Sequence, residues 1–201
     1  MTILIAEYGI NNKNRKIFRL NYLFQNLDKI LKENKDFIIL INGGDEKYIR
    51  DYLILLKKSG INCVYERSED PFEYLINILY YISSNKNIEK IIFYTDNKIN
   101  PIINYMIEKT LLREFYKYLD LSLQYSEEKY YNVKLLIDKY DRINIKDLLN
   151  KMNINIDLIE IKYNNNLKGI KNKIIDFFNK INDTLYSWGI FYYVFSILEK
   201  V

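Results

Sequence analysis

Hydrophobic and polar positions change their spacing several times along the chain, and the changes mark out alternating strands and helices. Ile3-Leu4-Ile5-Ala6 is a short, nearly all-apolar run ending in Tyr8-Gly9, the pattern of a strand buried on both faces. Ile17, Leu20, Phe24, Leu27 and Leu31 then recur at helical spacing, and Phe37 to Ile41 forms a second apolar run closed by Asn42-Gly43-Gly44. Asp45 is placed to cap a helix carrying Tyr48, Tyr52, Leu55 and Leu56, which stops at Ser59-Gly60. Ile61 to Tyr65 reads as a third strand. Asp70-Pro71 starts the next helix with an N-cap carboxylate and proline at the first position, and Ile91 to Tyr94 reads as a fourth strand. Asn100-Pro101 opens a further helix with Ile103, Met106, Ile107 and Leu111. Four β-α units in this order predict a parallel sheet with helices on both faces.

The pattern then shifts. Leu119, Leu121, Leu123 and Tyr125 alternate with polar residues, and Val133, Leu135 and Ile137 do the same after Ser126-Glu127-Glu128-Lys129. Alternation across a short connection predicts an antiparallel hairpin at a sheet edge. A short helix is expected over residues 144–151, and the alternation of Ile154, Ile156 and Leu158 predicts one more strand. Asn164-Asn165-Asn166 is the best internal boundary, separating a Rossmann-like domain (1–163) from a helical extension (164–201) with helices over 167–182 and 184–199. The expected fold is therefore α/β, a mostly parallel Rossmann-like sheet with an antiparallel edge hairpin and a C-terminal helical extension. Phe72, Leu75, Ile76, Leu79, Tyr80 and Ile82 cover a wider arc of their helix than one sheet face needs. Burial in a two-fold dimer and a core position beneath the C-terminal helices account for that width equally well.

Composition narrows the chemistry. The chain has 201 residues, 49% of them hydrophobic, which is ample for a packed core. Its 30 basic and 26 acidic residues are interleaved, so no clustered basic face points to DNA. Cys63 is the single cysteine and there is no histidine, which removes the commonest general base and the commonest zinc ligand together. Catalysis, if any, must come from Asp, Glu, Lys, Tyr or backbone groups. The most membrane-like run, Leu185 to Leu198, is broken by Ser187, Gly189 and Ser196 and falls short of the ~20 residues a span requires. No membrane partner is expected, and the expected location is the cytoplasm.

In an open parallel sheet, ligands bind beyond the carboxyl ends of the strands. Those ends here are Glu7 to Asn12, Asn42 to Asp45, Glu66 to Asp70 and Thr95 to Lys98, a polar, glycine-bearing set rich in amide donors. Such loops can hold a nucleotide without metal, although the same residue types make turns and caps in any α/β domain. Neither a dinucleotide fingerprint nor a P-loop is present. Glu7, Asp45, Asp70 and Asp96 each lie just past a strand, where metal-dependent nucleases place acids. The order Glu7 to Asn11, Asp70, and Thr95-Asp96 ahead of Pro101 resembles that of the NYN branch of PIN-like nucleases. The usual strand-one aspartate is Glu7, and the pair expected around Asp96 is reduced to one acid beside Lys98. Asp45 and Asp70 are also good helix caps.

A second resemblance covers more of the chain. Ile3-Leu4-Ile5-Ala6-Glu7-Tyr8-Gly9 resembles the first strand and loop of CARF domains, the CRISPR-associated Rossmann-fold sensors. Their fourth strand often runs into Asp-x-Thr-His-Gly before an apolar helix. Here Phe93-Tyr94-Thr95-Asp96-Asn97 precedes Pro101-Ile102-Ile103, and Thr95 alone matches. The order of four β-α units, a hairpin around Tyr125-Ser126 and an apolar strand is similar to the CARF layout over residues 1–140. The resemblance implies a homodimer binding cyclic oligoadenylate across its two-fold axis, and some members also cleave that ring. It would place Tyr8, Gly9, Asn11, Asn12, Thr95, Asp96, Asn97 and Lys98 at the ligand. Amides and hydroxyls would meet adenine edges and ribose, while Lys98 would offset phosphate charge. No metal or cofactor is implied. Many relatives carry a C-terminal HEPN ribonuclease with Arg and His, an effector expected to be absent or degenerate in a chain without histidine. The expected function is sensing, sequestering or cleaving cyclic oligoadenylate in antiviral CRISPR signalling. The alternatives are a PIN/NYN-like metal-dependent RNase and a catalytically inert interaction subunit. Clustered carboxylates of Glu7, Asp70 and Asp96 would favour the nuclease, and an amide-lined groove across a dimer axis the sensor.

Overall fold

A computed structural model describes residues 2–9, 13–31, 36–58, 60–68, 70–85, 87–96, 99–121 and 125–161. The expected boundary at Asn164 and the two helices beyond it lie outside these residues, as do the second copy and the groove that the dimer expectation needs. The strands are β1 (Thr2–Tyr8), β2 (Asp36–Asn42), β3 (Asn62–Glu66), β4 (Ile88–Asp96) and β5 (Asn155–Ile161). The helices are α1 (Lys13–Leu31), α2 (Glu46–Lys58), α3 (Pro71–Ser84), α4 (Asn100–Lys109), α5 (Tyr116–Leu121), α6 (Glu127–Tyr140) and α7 (Ile145–Lys151), with a 3-10 turn at Leu112–Phe115. The sheet runs β3-β2-β1-β4-β5 with every pairing parallel. The chain thus starts at the centre, builds outward to β3, then crosses back to β4 on the other side of β1. This is the Rossmann-like arrangement that the alternating pattern predicts.

Strand position follows from composition. β1 is buried along nearly its whole length and β2 from Ile38 onward, as near-continuous apolar runs require, whereas β3 and β5 stand at the edges and keep exposed positions. Ile3, Ile5, Ile39 and Ile41 pack with Leu20, Leu23, Phe24, Ile49 and Leu55 on the α1–α2 face. Leu4, Ala6, Leu40, Ile91 and Phe93 pack with residues of α3 to α7 on the other face. The punctuation works as the sequence implies. The Asp70 carboxylate accepts from the backbone N–H of Phe72 (2.7 Å) and Glu73 (3.4 Å) ahead of Pro71, and Asp45 Oδ1 accepts from Lys47 N–H (3.0 Å). Gly60, with φ +71°, ends α2 in the left-handed region.

The antiparallel edge hairpin is overturned. Of the residues expected to form its strands, Leu119 and Leu121 lie in α5 and Val133, Leu135 and Ile137 in α6, Leu123 lies outside the described residues, and β5 joins the sheet parallel to β4. Ser126 caps α6 by accepting from Lys129 N–H (3.2 Å), with Glu127 and Glu128 in the first turn. Val133, Leu136 and Ile137 are buried at helical spacing, while Leu135 is 65% exposed. The alternation of Val133, Leu135 and Ile137 misleads because positions four apart share a helix face as well as a strand face. Leu136 is the residue that decides between them. These helices form a second layer over α3. Phe72 stacks on Tyr118 at 3.7 Å and meets Phe115 edge-on at 5.4 Å, and α6 packs along α3. The wide apolar arc of α3 is thus buried between the sheet and α5–α6, within one chain, and no longer motivates a dimer surface. Among the described residues no helix is long and apolar enough to cross a membrane.

The two readings of residues 133–137 separate in a stability measurement. Ile137→Ala should cost ~2–5 kcal/mol by urea unfolding, whereas Leu135→Ala should stay within ~0.5 kcal/mol. Similar losses at both positions would restore the strand.

Candidate ligand crevice at the carboxyl edge

The strand order reverses between β1 and β4, which lie side by side with Glu7 opposite Tyr94. The carboxyl ends of these two strands are therefore neighbours, and of the expected residues Tyr8 and Gly9 stand at the end of β1 and Thr95 and Asp96 at the end of β4. Asn11, Asn12, Asn97 and Lys98 lie outside the described residues. Tyr8 is buried, its ring stacked on Tyr74 at 4.7 Å. Tyr74 donates its hydroxyl to the Ala6 carbonyl (3.1 Å). Burial, with Glu7 and Tyr8 adding to it, pushes the Tyr74 phenol well above its usual range, so it remains a donor at any ordinary pH. Thr95 is fully buried and donates to Asn100 Oδ1 (2.9 Å), whose amide nitrogen donates to Glu160 Oε2 (3.1 Å). Thr95 thereby ties the first turn of α4 to β4, and Asn100 carries the tie on to β5.

Beneath the β1 end lies an ionic cluster that the sequence reading did not assemble. Glu7 is wholly buried on the α1 side of the sheet. One of its oxygens accepts from Lys16 Nζ and the other from Arg19 Nε at 2.8 Å. Both cations are only 1% exposed. They sit on the core stripe of α1, since Lys16 and Arg19 precede the buried Leu20 and Leu23 by four residues each. A charged residue on an otherwise apolar stripe was the available signal, because such a side chain stays buried only when paired. Two glycines make room for the pair. A Cβ on Gly9 would lie 1.9 Å from Arg19 Cζ, and one on Gly44 would lie 3.3 Å from Lys16 Cγ and Cε. Gly9, expected to face ligand, is required where it stands by Arg19.

The cluster continues across the sheet. Lys16 also donates to the Asn42 carbonyl (2.9 Å), and the Asn42 side chain donates to the Ser68 carbonyl (2.7 Å). Asn77 of α3 donates to Asn42 Oδ1 (3.0 Å) and accepts from Lys129 Nζ (2.9 Å). Lys129 pairs with Glu66 at 2.6 Å, and its ammonium lies 5.7 Å from the ring centroids of Tyr80 and Tyr125. One polar chain thus links α1, the carboxyl ends of β1, β2 and β3, α3 and α6.

This geometry also locates the acids of the nuclease pattern. Both Glu7 oxygens are engaged by cations, Asp70 caps α3 and Asp45 caps α2. Among the described residues no group of three or more His, Cys, Asp or Glu side chains could hold a metal ion. Comparison with protein-family models, curated proteins and solved structures finds no match.

Gly9 and Arg19 should behave as one unit. Gly9→Ala displaces the guanidinium from Glu7 and should cost ~3–5 kcal/mol, the range for breaking a buried ion pair. In an Arg19→Ala background the same substitution should be nearly neutral. Additive losses in a double-mutant cycle would show that Gly9 serves something else.

Proposed function

We propose that the chain is a CARF-like binding domain that senses or sequesters cyclic oligoadenylate, holding it without metal in the crevice between the ends of β1 and β4. The observation that carries this reading is the adjacency of β1 and β4 at the point where the strand order reverses, the position at which open α/β sheets take ligands. The buried Glu7, Tyr8 and Thr95, each held by its own partners, would form the floor of that crevice. Ligand contact then falls to the residues that follow each strand, Asn11 and Asn12 on one side and Asn97 and Lys98 on the other. Their amides suit adenine edges and ribose hydroxyls, and the lysine suits phosphate. The RNase reading draws on the same strand ends, but Glu7 and Asp70 are already committed to internal partners. Among the described residues the hairpin that formed part of the likeness is not seen, so the reading rests on the four β-α units and the strand ends.

A ring with two-fold symmetry needs two half-sites, so light scattering at micromolar concentration should give about twice the chain mass of 24.4 kDa. Titration calorimetry with cyclic oligoadenylates of different ring size should show binding that EDTA leaves unchanged. Lys98→Ala should weaken it by ~1–3 kcal/mol. A strict monomer that binds no ring would discard the sensor. Manganese-dependent RNA cleavage lost in Asp96→Asn would put the nuclease in its place.

A further inference from the structure

We propose that Asn100 and Glu160 are positioning residues for the crevice, fixing the chain on either side of Asn97 and Lys98, which the sensor reading assigns to the ligand; the role rests on that reading. Thr95 of β4 and Glu160 of β5 are partners in the parallel register, and Asn100, the first residue of α4, bonds to both. Thr95 Oγ1 donates to Asn100 Oδ1 (2.9 Å), and Asn100 Nδ2 donates to Glu160 Oε2 (3.1 Å). The first of these bonds joins β4 to α4 across the segment that holds Asn97 and Lys98. The second holds the same helix start to β5.

Chemistry gives this chain of bonds a direction. An ionised carboxylate only accepts, so Glu160 draws the NH2 group of Asn100 and turns Oδ1 toward Thr95. The Thr95 hydroxyl is buried and needs an acceptor, which that oxygen supplies. Reversing the amide would set its oxygen against the carboxylate and its NH2 against the hydroxyl. Three elements thus meet at one side chain, and moving the start of α4 away from the strand ends breaks a hydrogen bond. The segment of Asn97 and Lys98 leaves β4 and enters α4 at two fixed points, so a ligand bound by those residues has less chain to order. In Asn100→Asp the carboxylate still accepts from Thr95 but meets Glu160 with like charge. Adding Glu160→Gln places the amide on β5, where it donates back and restores both bonds.

Calorimetric titration of the full-length protein with cyclic oligoadenylates, beside thermal unfolding of each variant, tests the role. Asn100→Asp should weaken binding about tenfold. The double variant Asn100→Asp, Glu160→Gln should regain the affinity of wild type. Glu160→Ala, a change at an exposed edge position that the fold should survive, should weaken binding about threefold. Glu160→Gln alone keeps an oxygen that accepts from Asn100 and should bind as wild type. A tie that serves stability only would lower the melting temperature of Asn100→Asp and leave its affinity unchanged, and that result would overturn the proposal. Failure of the double variant to recover would do the same. If wild type binds no ring of any size, the sensor reading falls and this role falls with it.

Discussion

Glu7 carries a carboxylate into the centre of the sheet, at a depth where an unpaired charge costs several kcal/mol, and the carboxyl edge is arranged around neutralising it. The two cations come from adjacent turns of α1, so the pairing fixes both the height and the rotation of that helix over β1. Lys16 adds the carbonyl of Asn42 and so binds the end of β2 to the same point. Gly9 and Gly44 follow as geometric necessities, since side chains there would occupy the space of the guanidinium and the lysine stem. Removing Glu7 would leave two buried cations without their shared carboxylate. The cluster therefore acts as a single structural unit, not as a sum of contacts.

The same logic extends through Asn42 to the far side of the sheet. Asn42 faces α1 with its backbone carbonyl and α3 with its side chain, so it passes the constraint between the two faces. Asn77 interrupts an otherwise apolar stretch of α3 and is satisfied by accepting from Lys129 while donating to Asn42. Lys129 in turn reaches from α6 to Glu66 on β3. The second helical layer is thus keyed to the sheet by a partly buried ion pair as well as by apolar packing. A layer held by packing alone could slide along α3, whereas the fixed lengths of these hydrogen bonds select one position.

The sheet was legible because continuous apolar runs such as Phe37–Ile41 have few alternatives to a buried strand, and because Asp70-Pro71 and Asn100-Pro101 mark helix starts through local chemistry. The hairpin was not distinguishable from a helix by Val133, Leu135 and Ile137, which fit either period, and only the apolar Leu136 between them favours the helix. The strand ends of the crevice were legible from strand order alone. The partners of Glu7 were not, since Lys16 and Arg19 are nine and twelve residues away in sequence and meet it only once α1 folds back over β1. Charged residues on a core stripe state that a buried partner exists, and topology is needed to say which.

The internal commitment of Glu7 also bears on which chemistry the crevice can host. A divalent cation takes its ligands from carboxylate lone pairs, and both Glu7 oxygens already receive N–H groups. Binding a metal there would require Lys16 or Arg19, both buried, to give up its carboxylate partner, at a cost of ~3–5 kcal/mol before any coordination energy is recovered. Arg19 has no simple exit, because its guanidinium fills the space that Gly9 leaves open. A nucleotide asks for none of this rearrangement. On the proposed reading it would need donors and acceptors on the segments above the floor, whose stems the partners of Glu7 and Thr95 hold in place. A ligand held there would leave less ordering to be done on binding, with no change in the cluster itself.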